Sequence, residues 1–245
     1  MEIAARGVGR TTSRGGERVL GATALAGLLV SAFVSLVVAP PDAVQGEVQR
    51  LMYVHVPAAW LAYLSFFLVF LSSIAYLRTR RIRWDRVAAA SAEIGVLFTA
   101  LAIALGALWG KPVWGAWWTW DPRLTTTAML LLIYLGYLAV RRSVDGPSRR
   151  ARWSAVIGIV GFVDVPIVHL SVVWWRSLHQ QSTVLRIDGP EIHGSMLVAL
   201  LVGVAAFTLV YSYLMILRLR VGRLEERAIR EALSPQTGEL ERADD

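Results

Sequence analysis

The chain has 245 residues, of which 56% are hydrophobic, and a mean hydropathy of +0.52, too apolar for one soluble domain of this size and typical of a membrane protein. Its net charge of +7 comes from arginines scattered between apolar runs, a topology signal rather than a nucleic-acid-binding surface. It has no cysteine, which excludes disulfides, thiolate metal ligands and attachment of any group through sulfur.

In chain order, a basic arm over 1–18 comes first. Six apolar runs follow, at 19–39, 52–77, 87–109, 124–140, 153–175 and 193–217. Each is about the 20 residues that a bilayer requires. The expected fold is all-α: a bundle of six transmembrane helices over 19–217 with a tryptophan-rich outer loop. A cleaved signal peptide competes for the first run. The run is too long for one, and Pro40 and Pro41 stand where small residues are needed for cleavage. The tail over 218–245 reads as a short charged helix that then frays.

Lys and Arg number four in the arm, five over 78–86, five over 141–152 and six from Arg218 onward. The opposite loops carry five: Arg50, Lys111, Arg123, Arg176 and Arg186. The positive-inside rule then puts both termini in the cytoplasm and the other loops outside.

One of those outer stretches is WGKPVWGAWWTWDPRLT, residues 109–125. It gathers five of the ten tryptophans. An aromatic belt explains scattered interfacial indoles such as Trp60, Trp84, Trp153, Trp174 and Trp175. It does not explain Trp114, Trp117, Trp118 and Trp120 together in a segment interrupted by Pro112 and Gly115. Grouped indoles make a flat apolar surface with N–H donors at the edge, suited to a large planar ligand. Asp121 followed by Pro122 is a helix start, N-cap then N1. Arg123 is the nearest cation. It can meet a ligand carboxylate, pair with Asp121 or touch lipid headgroups. The stretch GALWGK before it fails as a phosphate loop on spacing and on Pro112.

Three of the four histidines fall at the same level. His55 lies in RLMYVHVPAAW, His179 in RSLHQQS and His193 in GPEIHGSM. Neutral imidazole is a common haem-iron ligand, and two from separate loops flanking an aromatic shelf can clamp a porphyrin from both faces. On position alone His193 competes with His179. The ordinary alternative for each is a hydrogen-bonding surface residue. His169 lies inside the fifth run with Asp164 deeper. The two read as a buried polar pair or part of a ligand entry path. Glu93 reads as a partner for loop arginines.

The tryptophan string and the two segments around His55 and His179 resemble the cytochrome c-type biogenesis family CcmC (haem exporter protein C), carriers of the "WWD" signature. The resemblance runs over the six spans, about 19–217. It implies six helices in the cytoplasmic (inner) membrane and haem b held as cargo at the periplasmic face. It implies His55 and His179 as axial ligands, favouring His179 over His193. It implies a platform of Trp114, Trp117, Trp118, Trp120 and Asp121, with Arg123 beside it for a propionate. It also implies delivery to the haem chaperone CcmE, in company with the ABC subunits CcmA and CcmB and the small protein CcmD. No bond-making side chain is evident, so a delivery protein is expected rather than an enzyme. A haem-conducting transport subunit, a b-type electron-transfer cytochrome and an ornate membrane anchor are the rival readings.

Overall fold

The computed structural model describes residues 14–181, 183–184 and 188–233. Arg6, Arg10, Arg186 and the end of the tail lie outside them. Among the described residues there is no strand beyond one isolated bridge, Asp42 with Gly46. The helices are α1 (Arg14–Phe33), α2 (Met52–Thr79), α3 (Ile82–Trp114), α4 (Pro122–Ser143), α5 (Pro147–Phe162), α6 (Asp164–Trp174) and α7 (Gly194–Leu233). They make six spans long and apolar enough to cross a membrane, with α5 and α6 sharing the fifth.

Every span is longer than the hydropathy pattern alone suggests. Helix α3 runs through Pro112 to Trp114 and stops at Gly115, whose φ of 78° is the left-handed cap that glycine adopts most easily. The beginning of the tryptophan string is therefore helix, not loop. Helix α7 continues the sixth span unbroken through the charged residues after Arg218.

The fifth span breaks at Val163, and Pro166 explains the break. Its ring nitrogen cannot bond the Phe162 carbonyl one turn earlier, and the ring crowds that carbonyl. Asp164 and His169, both on α6, do not form the expected pair. Asp164 is buried with Oδ2 lacking a partner, whereas His169 is exposed on another face of α6. Five residues on a helix turn the chain by about 140° past a full turn, which separates the two side chains.

Two of the four apolar clusters among the described residues fill most of the bundle. In one, Phe66 of α2 stacks on Tyr134 of α4 with centroids 3.7 Å apart, among Leu130, Tyr137 and Val168. In the other, Leu61, Ile94, Phe98, Tyr211 and Met215 join α2, α3 and α7.

The arginine-rich end is closed by ion pairs between helices. Arg141 of α4 grips Asp85 of α3 through both guanidinium nitrogens, the Nη2 bond being 2.9 Å. Arg218 of α7 reaches Glu93 of α3 at 2.9 Å, so the partner of Glu93 is on a helix and not in a loop. Arg86 with Glu226 and Arg220 with Glu17 add two more, at 2.8 and 2.6 Å.

Candidate functional site

The other end of the bundle brings together the start of α2, the end of α3, the start of α4 and the segment after α6. His55 is in the first turn of α2, and its ring meets Trp109 of α3 edge-to-face, centroids 5.8 Å apart at 75°. Gly106 makes room for it. A Cβ there would lie 3.1 Å from His55 Cε1, so a side chain would push the imidazole. Nδ1 of His55 is buried without a hydrogen bond. The Ala102 carbonyl is its nearby backbone acceptor, outside hydrogen-bond geometry.

His179 lies in the irregular segment beyond α6. Its ring packs edge-to-face on Trp114, centroids 4.7 Å apart. Its Nδ1 is 3.2 Å from Asp121 Oδ1, and its backbone N–H donates to Ser177 Oγ at 3.1 Å.

Asp121 ties this segment to α4. It is the N-cap expected from sequence: Oδ1 accepts the Arg123 N–H at 2.9 Å, with Pro122 at the helix start. Oδ1 also accepts the Ser177 hydroxyl at 3.1 Å, and Oδ2 the Leu178 N–H at 2.6 Å. Burial pushes the Asp121 carboxyl up, but these donors, with His179, outweigh it and hold the group below the usual carboxylate range. Burial lowers the His179 imidazole from its ordinary value despite the pull of Asp121, so the ring is neutral at pH 7. A neutral ring that donates Nδ1–H to a carboxylate keeps the Nε2 lone pair for a metal.

The two histidines lie within electrostatic range of each other, and Arg123 within range of both. Neither Nε2 makes a hydrogen bond, and neither is among the buried unpartnered atoms.

The tryptophans divide by position. Trp117 is 56% exposed and Trp120 82%, and Trp118 stands edge-to-face on Trp120 with centroids 5.8 Å apart. Trp114 is half-buried under His179. An open depression of about 380 Å³ lies beside Trp120, bounded by Thr119, Pro122, Arg176 and Leu178. Asp121 has 6% exposure and both oxygens occupied; it stands behind His179 and also lines the depression beside Trp120.

Arg123 turns inward. Its Nη2 donates to the His169 carbonyl at 2.9 Å, and its Nε is buried without a partner. It makes no side-chain pair with Asp121. Lys111 donates to the Gly115 carbonyl at 3.0 Å and so caps α3. His193 bonds Ser195 Oγ at 2.9 Å and lines a separate cavity of about 350 Å³ with Gln49, Trp109 and Met196.

Ser177 was not singled out from sequence; Gly106 was read only within the rejected GALWGK loop, and Trp109 only as a member of the tryptophan string. Gly106 and Trp109 are three apart on one face of α3, the face that meets His55. That spacing was legible in GALWGK. The role of Ser177 depends on a loop and had no sequence signal.

Residues 8–234 match the family model described as CcmC, heme exporter protein C. A heme exporter protein C of Bradyrhizobium diazoefficiens is 43% identical over 82% of this chain and 79% of its own length. One of Haemophilus influenzae is 36% identical over 80% and 79% respectively. A cytochrome c biosynthesis ccmC-like mitochondrial protein of Marchantia polymorpha is 38% identical over 77% and 79%. The chain therefore belongs to the heme exporter protein C family.

Proposed function

We propose that this chain holds haem b as cargo at the outer face of the cytoplasmic membrane and delivers it for cytochrome c maturation. The observation that carries this reading is one convergence. Two imidazoles from segments far apart in sequence sit at one end of the bundle, each with Nε2 unbonded, beside exposed indoles. That donor set suits six-coordinate haem iron, and the printed names of the relatives speak of haem export and cytochrome c biosynthesis.

His55 and His179 coordinate the iron from opposite sides. Trp117, Trp118 and Trp120 cover the porphyrin, with Trp114 supporting His179 from below. Covering apolar surface supplies about 25 cal/mol per Å², several kcal/mol in total before ordering costs. Arg123 supplies positive charge for a propionate. The recipient is a chaperone of the CcmE kind, whose own ligand replaces these contacts, with CcmA, CcmB and CcmD as neighbours. The arginine distribution sets both termini in the cytoplasm. The chain binds and passes on its cargo.

A b-type electron carrier fits less well. It needs facing histidines deep within the membrane; His55 sits in the first turn of α2, at the end of its span, and His169 is exposed. Transfer from the haem-loaded protein to a soluble CcmE-type chaperone tests the proposal. Wild type is expected to yield haem covalently bound to the chaperone. A variant with Trp117, Trp118 and Trp120 all changed to Ala is expected to yield little. Equal transfer by the two would contradict the assigned platform, and no transfer by wild type would contradict delivery.

A further inference from the structure

The two imidazoles of the site are held in different ways. His179 has an anion behind it, with Nδ1 3.2 Å from Asp121 Oδ1. That carboxylate is itself fixed by the N–H groups of Arg123 and Leu178 and by the Ser177 hydroxyl. His55 has nothing comparable, since its Nδ1 is buried against the Ala102–Gly106 stretch of α3 with no hydrogen bond.

A histidine that donates its second ring proton to a carboxylate is fixed in orientation and tautomer and becomes a more basic ligand. Losing such a partner costs metal sites about 10–100-fold in affinity. An imidazole with only a neutral backbone carbonyl nearby, outside hydrogen-bond geometry, gains much less. We propose that Asp121 is a positioning residue that makes the axial pair unequal: His179 is the retained ligand, and His55 is the one whose bond to iron opens when haem is handed on. This rests on the haem-binding reading above and says in which order that site lets go. It also gives Asp121 two tasks in one side chain. Starting α4 and backing His179 use the same oxygen, Oδ1, while Oδ2 accepts the Leu178 N–H, so the outer segment is registered to the bundle by the group that strengthens its ligand.

The order is chemically consequential. During exchange the iron keeps one protein ligand while the other position opens to an incoming imidazole. In that step the Fe–Nε2 bond of His55 breaks, its electron pair returns to the ring, and the new imidazole donates its own pair to iron. No electron or proton is required from elsewhere.

The test uses the full chain, haem-loaded in detergent. Carbon monoxide added to the ferrous protein displaces the weaker axial ligand, and resonance Raman then reports which imidazole remains. The expected adduct of wild type has the Fe–CO and C–O stretches of the His55→Gly adduct, and Asp121→Asn is expected to give a mixture. An adduct matching His179→Gly would overturn the proposal.

A second measurement separates positioning from general structure. The midpoint potential is read with and without Asp121→Asn, in His55→Gly and in His179→Gly, each rescued with free imidazole. Asp121→Asn is expected to raise the potential where His179 is the ligand and to leave it unchanged where His179 is absent. A shift of equal size in both backgrounds would mean that Asp121 acts on the fold alone. A wild-type protein without a Soret band would instead defeat the haem reading, before either comparison is reached.

Discussion

The two ends of this bundle are finished differently. At the arginine-rich end, charged side chains cross between helices and find partners: Asp85 with Arg141, Glu93 with Arg218, Glu226 with Arg86 and Glu17 with Arg220. At the tryptophan end, groups stand ready and unmatched: the Nδ1 of His55, the Nε of Arg123, and the indoles of Trp117 and Trp120 open to their surroundings. A closed end fixes how the helices stand. An open end leaves ligand atoms and apolar surface for something else. Among the described residues, buried polar atoms without a partner occur at both ends, those of Ser72, Ser73 and Arg150 at the arginine-rich one; the tryptophan end differs in that His55 Nδ1 and Arg123 Nε lie at the same end as the exposed indoles.

The largest expected effect breaks the closed end. Arg141→Ala leaves the buried Asp85 carboxylate, 5% exposed, without its guanidinium. Removing one partner of a buried pair costs about 3–5 kcal/mol. The thermal midpoint in detergent is expected to fall sharply, while the haem spectrum of protein kept cold is unchanged. A midpoint within a degree of wild type would mean that the pair does not hold α3 to α4.

A smaller effect belongs to the open end. Gly106→Val drives a side chain into the His55 ring, whereas Gly136 on α4 has nothing within 4 Å. Gly106→Val is expected to weaken haem binding about tenfold, or about 1.4 kcal/mol, and Gly136→Val to leave it unchanged. Equal effects in a haem titration would remove Gly106 from the site.

The smallest effect is on pH dependence. The folded protein lowers the His179 imidazole below its ordinary 6.5 and the Asp121 carboxyl below its ordinary 3.8. Both contributions are complete above the ordinary values and are lost as pH falls through the lowered ones. Haem-free protein is therefore expected to keep its melting temperature from pH 8 to 6.5 and to lose some below that. His179→Gln is expected to flatten the decline between pH 6.5 and 5. A decline of unchanged slope would assign it to other groups.

Much of this contrast was readable from the chain. Twenty residues of apolar sequence can do little but cross a membrane, so the spans were visible, and the arginine distribution separated the two ends. Asp121-Pro122 announced the start of α4. What was not readable depends on which helix faces which. Sequence shows that Glu93 needs a cation but not that Arg218, 125 residues away, supplies it. It shows Asp164 and His169 five residues apart but not the break at Val163 beside them. It shows two histidines at one level but not that one is backed by Asp121 and the other by no hydrogen bond.

The central claim is that His55 and His179 share one iron. Low-temperature electron paramagnetic resonance of the purified, haem-loaded ferric protein tests it most directly, with His55→Ala, His179→Ala and His193→Ala measured beside it. The account predicts a low-spin bis-imidazole signal in wild type and in His193→Ala, replaced by a high-spin signal or by loss of haem in each of the other two. A low-spin signal that survives either of those two substitutions, or that disappears with His193→Ala, would contradict it.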